Sequence, residues 1–390
     1  MLTAEENELF TRVGPGTACG DVMRRYWWPV GFIDELTGPR PKKVRLLGQD
    51  FVLFRDAAER VGLLDLLCAH RRTSLALGRV EETGLRCCYH GWLFDTAGTC
   101  LEQPCEDPGN TFKDKVRQGS YPTQISAGVV FAYIGPQPAP LLPAYDILHY
   151  DRGKRVLWSK RNDCNWMQAA ENACDVSHVP WLHAGPYPGF AAKRPLITWD
   201  PTPYGQHFEI KIEGFARENA GDVIFPGTSR FARSRMGSVE KSLLGDRERD
   251  IRHVLLFRVP EDDVTIRNVF VAVYPDAEDV RITRGDLSGP PGVYDTIDDG
   301  WWGIESGDQD RAATEGQGPI TDRSLEHLAP SDFGVTMFRN MLREAIRGVA
   351  AGRDPIGVIR DPKQNEVIRF DTHQHDVVPS LYEFAAVKAK

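Results

Sequence analysis

The chain has no apolar run long enough to cross a bilayer, and its start, Met1-Leu2-Thr3-Ala4-Glu5-Glu6-Asn7, lacks the basic residues and apolar segment of a secretory signal. Both absences point to a soluble, cytoplasmic protein with no membrane partner. Sustained basic runs are missing too. The densest, Arg40 to Arg45, is interrupted by Pro41 and preceded by Gly38 and Pro39, as an exposed turn would be. With a formal charge of −8, that argues against a nucleic-acid partner. No internal repeat or low-complexity tract appears. The eight cysteines are too scattered, and too far from any secretory context, to form a disulfide framework. Cys19, Cys88, Cys100, Cys105, Cys164 and Cys174 read as reduced thiols. What remains is an ordinary globular composition, 41% hydrophobic and 10% aromatic, over 390 residues, enough for two domains with separate cores.

Two short clusters stand out, Cys68-Ala69-His70 and Cys87-Cys88-Tyr89-His90. Each pairs a Cys with a His two or three positions later. In a Rieske centre Cys68 and Cys87 would hold one iron of a [2Fe-2S] unit and His70 and His90 the other, and the imidazoles raise the potential above that of a four-Cys ferredoxin. A structural zinc site is the competing reading, but zinc fingers group Cys with Cys and His with His, whereas here each cluster carries both.

The chain up to about residue 155 is rich in short runs separated by turn residues, such as Lys43 to Gly48 and Val129 to Gly135. Such punctuation predicts small antiparallel sheets with the ligand clusters on loop tips. The proline-rich passage from Gly135 to Pro143 cannot continue a strand or a helix, and the domain junction is placed shortly after it, giving units 1–155 and 156–390. The second unit opens with a helix-like segment from about Cys164 to Leu182 and returns to strand-like runs at Ile251 to Val259 and Val269 to Tyr274. Val335, Phe338, Leu342 and Ile346 then recur at helical spacing, with Ser331 or Asp332 as a cap and a stop near Gly352. Strands followed by a closing helix indicate an α+β domain.

A second constellation lies in the helix-like segment. Glu171, Asp175 and His178 follow at spacings of four and three, so a continuous helix would put them on one face. His183 is five further on, and Pro180 between the histidines is expected to bend the chain and swing it back. Two histidines and one carboxylate with open positions form the facial triad of non-haem Fe(II) oxygenases. Glu171 and Asp175 would have to reach around the helix to complete it, so the third ligand is expected from elsewhere. His149, His207, His253, His327, His373 and His375 lack paired spacing, and Trp301, Trp302, Phe208 and Phe215 read as core.

At these motifs the chain resembles the ring-hydroxylating Rieske non-haem iron oxygenases. The likeness is carried by Cys68-Ala69-His70-Arg71-Arg72, Gly84-Leu85-Arg86-Cys87, Tyr89-His90-Gly91-Trp92 and the stretch Glu171 to His183. It is closest to the phthalate 4,5-dioxygenase-like branch, which also includes aryl O-demethylases. The motif requires two residues between the second Cys and its His, which selects Cys87 over Cys88. The resemblance implies an all-β Rieske domain followed by a helix-grip (Bet v1-like) catalytic domain with an antiparallel sheet and a long C-terminal helix. It also implies that His178 and His183 bind a mononuclear Fe(II). The carboxylate ligand would come from the region of Asp308-Gln309-Asp310, with Asp310 first and Asp308 second, since Gly318 to Ser324 and Glu326-His327-Leu328 look like the branch's sequence after its Gln-Asp pair. Asp175 would bridge electron transfer between subunits of a homotrimer.

The activity so implied is that of a terminal oxygenase. Dioxygen is the cosubstrate, electrons come from NAD(P)H through a flavin- and ferredoxin-type reductase, and a small aromatic acid is hydroxylated or O-demethylated. Arg217, Arg230, Arg233 and Arg235 could meet a carboxylate, although arginines in such a segment are more often solvated. A Rieske electron carrier is the alternative, but it has no use for the long second part of this chain.

Overall fold

In the computed structural model, residues 1–183, 194–212, 217–234, 251–275, 277–288, 304, 308–372 and 381 are described. The strands of the first part are short because glycine, proline and polar turns punctuate them. One sheet orders β1 (Trp28–Phe32), β11 (Val129–Ala132) and β10 (Thr123–Ser126); a second orders β2 (Lys42–Leu46), β3 (Gln49–Arg55), β4 (Val61–Asp65) and β9 (Ser120–Tyr121). A third, of β5 (Arg79–Val80), β6 (Leu85–Arg86), β7 (Leu93–Phe94) and β8 (Cys100–Glu102), carries the second cysteine–histidine cluster between β6 and β7, while the first lies on the connection from β4 to β5. All their pairings are antiparallel.

The second part is built on an eight-stranded sheet with the order β13 (Pro195–Thr202), β14 (Gly205–Ile212), β15 (Arg217–Ile224), β16 (Thr228–Ser234), β17 (Ile251–Pro260), β18 (Ile266–Tyr274), β12 (Lys154–Asn162), β19 (Val280–Asp286). It is antiparallel except for its edge, where β19 runs parallel to β12. Successive side chains of a strand point to opposite faces, and here both faces are covered. On β17, Leu255, Phe257 and Val259 are buried towards the first part, where Phe257 meets the Phe131 ring at 5.5 Å. Val254 and Leu256 are buried on the other side with Ala272, Trp158, Phe231 and Phe270.

Helices cover that other side. Those among the described residues are α1 (Ala4–Thr11), α2 (Ala18–Met23), α3 (Asp146–His149), α4 (Trp166–Cys174), α5 (Val179–Leu182), α6 (Gln309–Glu315) and α7 (Phe333–Ala350). The long helix follows its apolar spacing: Val335, Phe338 and Leu342 are buried, and Gly352 at φ +76° ends the run. Asp332 does not cap the helix through its side chain. Its carboxylate instead accepts from the Ala329 amide at 2.6 Å, closing the preceding 3-10 turn. Residues 2–12 lie against α4 and α7, where Trp166 donates to the Phe10 carbonyl and Arg343 pairs with Glu6. No helix among the described residues is long and apolar enough to span a membrane.

The segment expected as one helix from Cys164 to Leu182 is three pieces. Asn165 caps α4 by accepting from the Met167 amide, α4 ends at Cys174, a 3-10 turn covers Val176–His178, and α5 follows. The break is at Asp175 (φ −116°, ψ 84°), not at Pro180. Pro180 sits in the first turn of α5, where its missing N–H would have had no helical partner.

Candidate metal centres

The two clusters of the first part sit on matching loops. The Cys68 amide donates to the Thr73 carbonyl and the Cys87 amide to the Trp92 carbonyl; the Arg72 and Gly91 amides return to the Cys68 and Cys87 carbonyls. Arg72 and Gly91, four residues after each Cys, are left-handed (φ +61° and +73°), so each loop turns back on itself the same way. Gln118 braces the first loop, accepting from the Ala69 amide and donating to the carbonyls of Asp65 and Leu67. Pro104 packs on the second at Gly91, where a side chain would meet it at 3.1 Å.

Cys68 and Cys87 are 1% and 3% exposed and lie beside each other, whereas Cys88 is exposed. The rings of His70 and His90 stand 4.5 Å apart on the outer side, and Trp92 stacks flat on His70 at 4.2 Å. Burial and the neighbouring Cys87 push the Cys68 thiol up to about 11, a cost that bonding of the thiolate to iron removes. Desolvation and His90 keep the His70 imidazole below its ordinary value, in the neutral form that binds metal. Two inner thiols and two outer imidazoles suit the donor set of a cluster whose irons differ in ligand type.

The second site lies on the helix-covered face of the large sheet. Val176 and Val179 pack on Ile197, Trp199, Phe208 and Ile210, which sets the 3-10 turn and α5 over β13 and β14. From there His178 Nε2 reaches Asp310 Oδ1 at 3.3 Å and His183 Nε2 reaches the same atom at 3.4 Å. One ligand atom of each residue lies within 4.8 Å of the others. The far nitrogen of each ring is treated differently: His183 Nδ1 meets Gln309 Oε1 at 2.9 Å, and His178 Nδ1 faces Asp175 at 3.9 Å. Burial alone would raise the Asp310 carboxyl, but hydrogen bonds from the two imidazoles hold it well below its usual range. Burial would lower His178, yet Asp310 and Asp175 carry it up. Two imidazoles and a carboxylate converging in this way fit a divalent iron.

The remaining expected residues separate cleanly. Glu171 faces away from the site and is held by Arg323 at 2.8 Å and Arg339 at 2.6 Å. Asp175 does not complete the triad; its carboxylate caps the turn, accepting from the amide and hydroxyl of Ser177. Asp308 is drawn off by Lys160 of β12 at 3.1 Å. Arg230 is not solvated but fully buried on Asp146. The side chains of Arg217 and Arg233, and residues Phe215, Arg235, Trp301, Trp302, His373 and His375, lie outside what the structure describes. Phe208 is half-buried against Val176 and Ile210, and His207 lies against Asp222 at 3.3 Å. Sequence reasoning missed Asn172, which donates to Asp310 at 3.3 Å, along with Gln118 and the Trp92 stack. Gln309 was visible only as the neighbour of Asp310.

Residues 26–120 match the model of the Rieske [2Fe-2S] domain. The chain is 36% identical to the 5,5'-dehydrodivanillate O-demethylase oxygenase subunit of Sphingobium sp., over 97% of this chain and 88% of that one. It is 31% identical to the phthalate 4,5-dioxygenase oxygenase subunit of Pseudomonas putida, over 92% and 89%. Among solved structures, NdmA of Pseudomonas putida CBB5 with caffeine superposes with a TM-score of 0.66 at 20% identity, over 87% of this chain and 98% of that one, which is a likeness of fold. These relationships and the two centres together place the chain in the Rieske oxygenases, as an oxygenase (alpha) subunit of the branch that contains phthalate 4,5-dioxygenase and the O-demethylases.

Proposed function

We propose that Cys68, His70, Cys87 and His90 hold the [2Fe-2S] cluster, that His178, His183 and Asp310 hold a mononuclear Fe(II), and that the enzyme hydroxylates or O-demethylates an aromatic acid with O2. A separate reductase, drawing on NAD(P)H, would supply the electrons. When bound, the cluster passes single electrons and the mononuclear iron keeps coordination positions open for oxygen beside the substrate. The observation that carries the reading is the convergence of both histidine Nε2 atoms on one Asp310 oxygen, on the covered face of the sheet.

The chain's own residues have separate tasks. Gln309, 2% exposed, accepts from His183 Nδ1–H and so presents Nε2 to the metal, while Asn172 donates to the Asp310 oxygen that both histidines meet. Asp175, half-buried beside His178, is placed to accept a hydrogen bond from a Rieske histidine of a neighbouring subunit. That contact is heterologous, and three copies close it into a ring. Domain units 1–155 and 156–390 keep the two centres in separate parts of each chain. None of the eight cysteines forms a disulfide, and six remain as thiols beside the two cluster ligands, which suits a reducing, cytoplasmic setting. The substrates that name the two relatives, dehydrodivanillate and phthalate, support an aromatic acid.

The test is oxygen uptake by the iron-loaded enzyme with a surrogate reductase over aromatic acids and methoxylated aromatic acids, with products identified. Uptake coupled to a hydroxylated or demethylated product is the expected result. Iron beyond the cluster's two atoms should be present in each chain, and its absence would leave only an electron carrier.

A further inference from the structure

Six arginines are buried among the described residues: Arg24, Arg230, Arg258, Arg311, Arg323 and Arg339. Arg230 grips Asp146 through two bonds of 2.9 and 3.0 Å, Arg311 meets Glu315, and Arg323 and Arg339 share Glu171. Arg24 donates to the carbonyls of Val13, Gly20 and Leu47 and to the Gln49 side chain. Arg258 is the exception. It is 7% exposed, and among the described residues its guanidinium has a single hydrogen bond, to the neutral Ser229 hydroxyl at 2.7 Å. No carboxylate of the described residues lies within ion-pair distance of it. Burial lowers its pKa to about 10, so it is still a cation at neutral pH. A buried charge without a counter-charge is costly, which makes its retention informative.

Strand register says where this charge is. Side chains directly opposite in neighbouring strands share a face, and Lys160, Asn268 and Arg258 form one cross-strand row on the helix-covered side. The next row holds Trp158, Phe270, Leu256 and Ser229, and the one after it Ala272, Val254 and Phe231. The result is an aromatic and aliphatic floor with a basic edge. Trp158 and Phe270 stack on it at 4.7 Å. The Arg258 guanidinium reaches from the basic row to Ser229, towards the floor. In the same row, Asn268 is buried with its Oδ1 unpartnered, and Lys160 is already taken by Asp308. Asp310, the carboxylate of the metal site, acts on Arg258 through space and forms no ion pair with it. Two neutral imidazoles and one carboxylate around a divalent cation leave that site positive, so it does not neutralise Arg258 either.

We propose that Arg258, oriented by Ser229, is the receptor for the carboxylate of an aromatic acid lying over the floor of Trp158, Phe270, Leu256 and Phe231. This rests on the reading of the site as an aromatic oxygenase and names the group that selects the substrate. A guanidinium offers a planar pair of N–H donors that matches a carboxylate, and the carboxylate supplies the counter-charge that Arg258 lacks.

The experiment is calorimetric titration of the iron-loaded enzyme with acid and amide pairs: 3-methoxybenzoate, 4-methoxybenzoate and 4-phenoxybenzoate, each against its carboxamide. At least one acid should bind wild type more tightly than its amide. Arg258→Gln should weaken that acid about thirtyfold or more, since truncating one partner of a buried charge pair costs that much, and leave the amide nearly unchanged. Arg258→Lys should keep part of the preference. Ser229→Ala should weaken the acid about fivefold, the loss of one hydrogen bond. An acid preference that survives in Arg258→Gln, or no acid bound better than its amide by wild type, overturns the proposal. If Arg258→Gln does not retain its metals, an unchanged acid-to-amide ratio in Ser229→Ala overturns it instead. Failure of the underlying reading looks different: acids would bind through Arg258, yet none would be oxygenated.

Discussion

Glu171→Gln should weaken the fold without touching the metal. Glu171 Oε2 accepts from Arg323 Nε at 2.8 Å and Oε1 from Arg339 Nε at 2.6 Å, joining α4 to the 321–326 segment and to α7. Glutamine can keep one of these bonds but turns an NH2 group onto the other guanidinium. Arg339 has a second carboxylate, Glu326, at 2.6 and 2.9 Å. Among the described residues Arg323 has none; it is 0% exposed and keeps the Asn7 side chain and the Thr321 carbonyl. Breaking a buried pair by removing one partner costs about 3–5 kcal/mol, and the redundancy at Arg339 places this loss near the lower end. At roughly 2–4 °C per kcal/mol for a unit of 150–250 residues, the melting temperature of the catalytic part falls by roughly 6–12 °C. Scanning calorimetry reads the shift, and metal analysis on the same sample should find iron content unchanged. Glu171→Gln with Arg323→Met should recover part of the loss, because no buried charge is then left alone. A variant that melts like wild type, or one that loses mononuclear iron at unchanged stability, would refute the reasoning; the second result would return Glu171 to the ligand set.

Other substitutions separate neighbouring residues. Cys87→Ser should abolish the Rieske-type paramagnetic signal of the reduced protein and Cys88→Ser should keep it, because Cys87 is buried beside Cys68 and Cys88 is exposed; loss of the signal in both would undo the assignment. Asp310→Ala should empty the mononuclear site while Asp308→Ala keeps its iron and loses only the Lys160 pair, and the reverse pattern by metal analysis would exchange the two carboxylates. Asp175→Asn should retain both metals yet turn over about 10–100-fold more slowly, the usual cost of a lost partner to a metal ligand. Normal turnover in that variant, or a fully active monomer by light scattering, would contradict the ring.

What could be read from the chain alone is what contiguous residues hold together. The two cysteine–histidine clusters each occupy one short loop, and the His178 and His183 pair lies within one turn-and-helix segment, so short spacings carried both. The long helix was legible because the 3.6-residue period of Val335, Phe338 and Leu342 matches how it packs. Pro180 misled because the rule that proline bends a helix holds for interiors, and whether position 180 was interior depended on Asp175 breaking the helix first, to accept from Ser177. Partners brought in by the fold were invisible. Arg230 finds Asp146 of α3, Glu171 finds two arginines from beyond residue 320, and Lys160 pairs with Asp308. Asp310 required family resemblance, since no period connects it to His178. Arg258 is the extreme case. Its meaning lies in the absence of a carboxylate partner among the described residues, and such an absence can be recognised only once the fold has brought distant strands and helices together. The same physics that made the other buried arginines structural makes this one a candidate for recognition: a buried cation is satisfied either by the protein, or by what the protein binds.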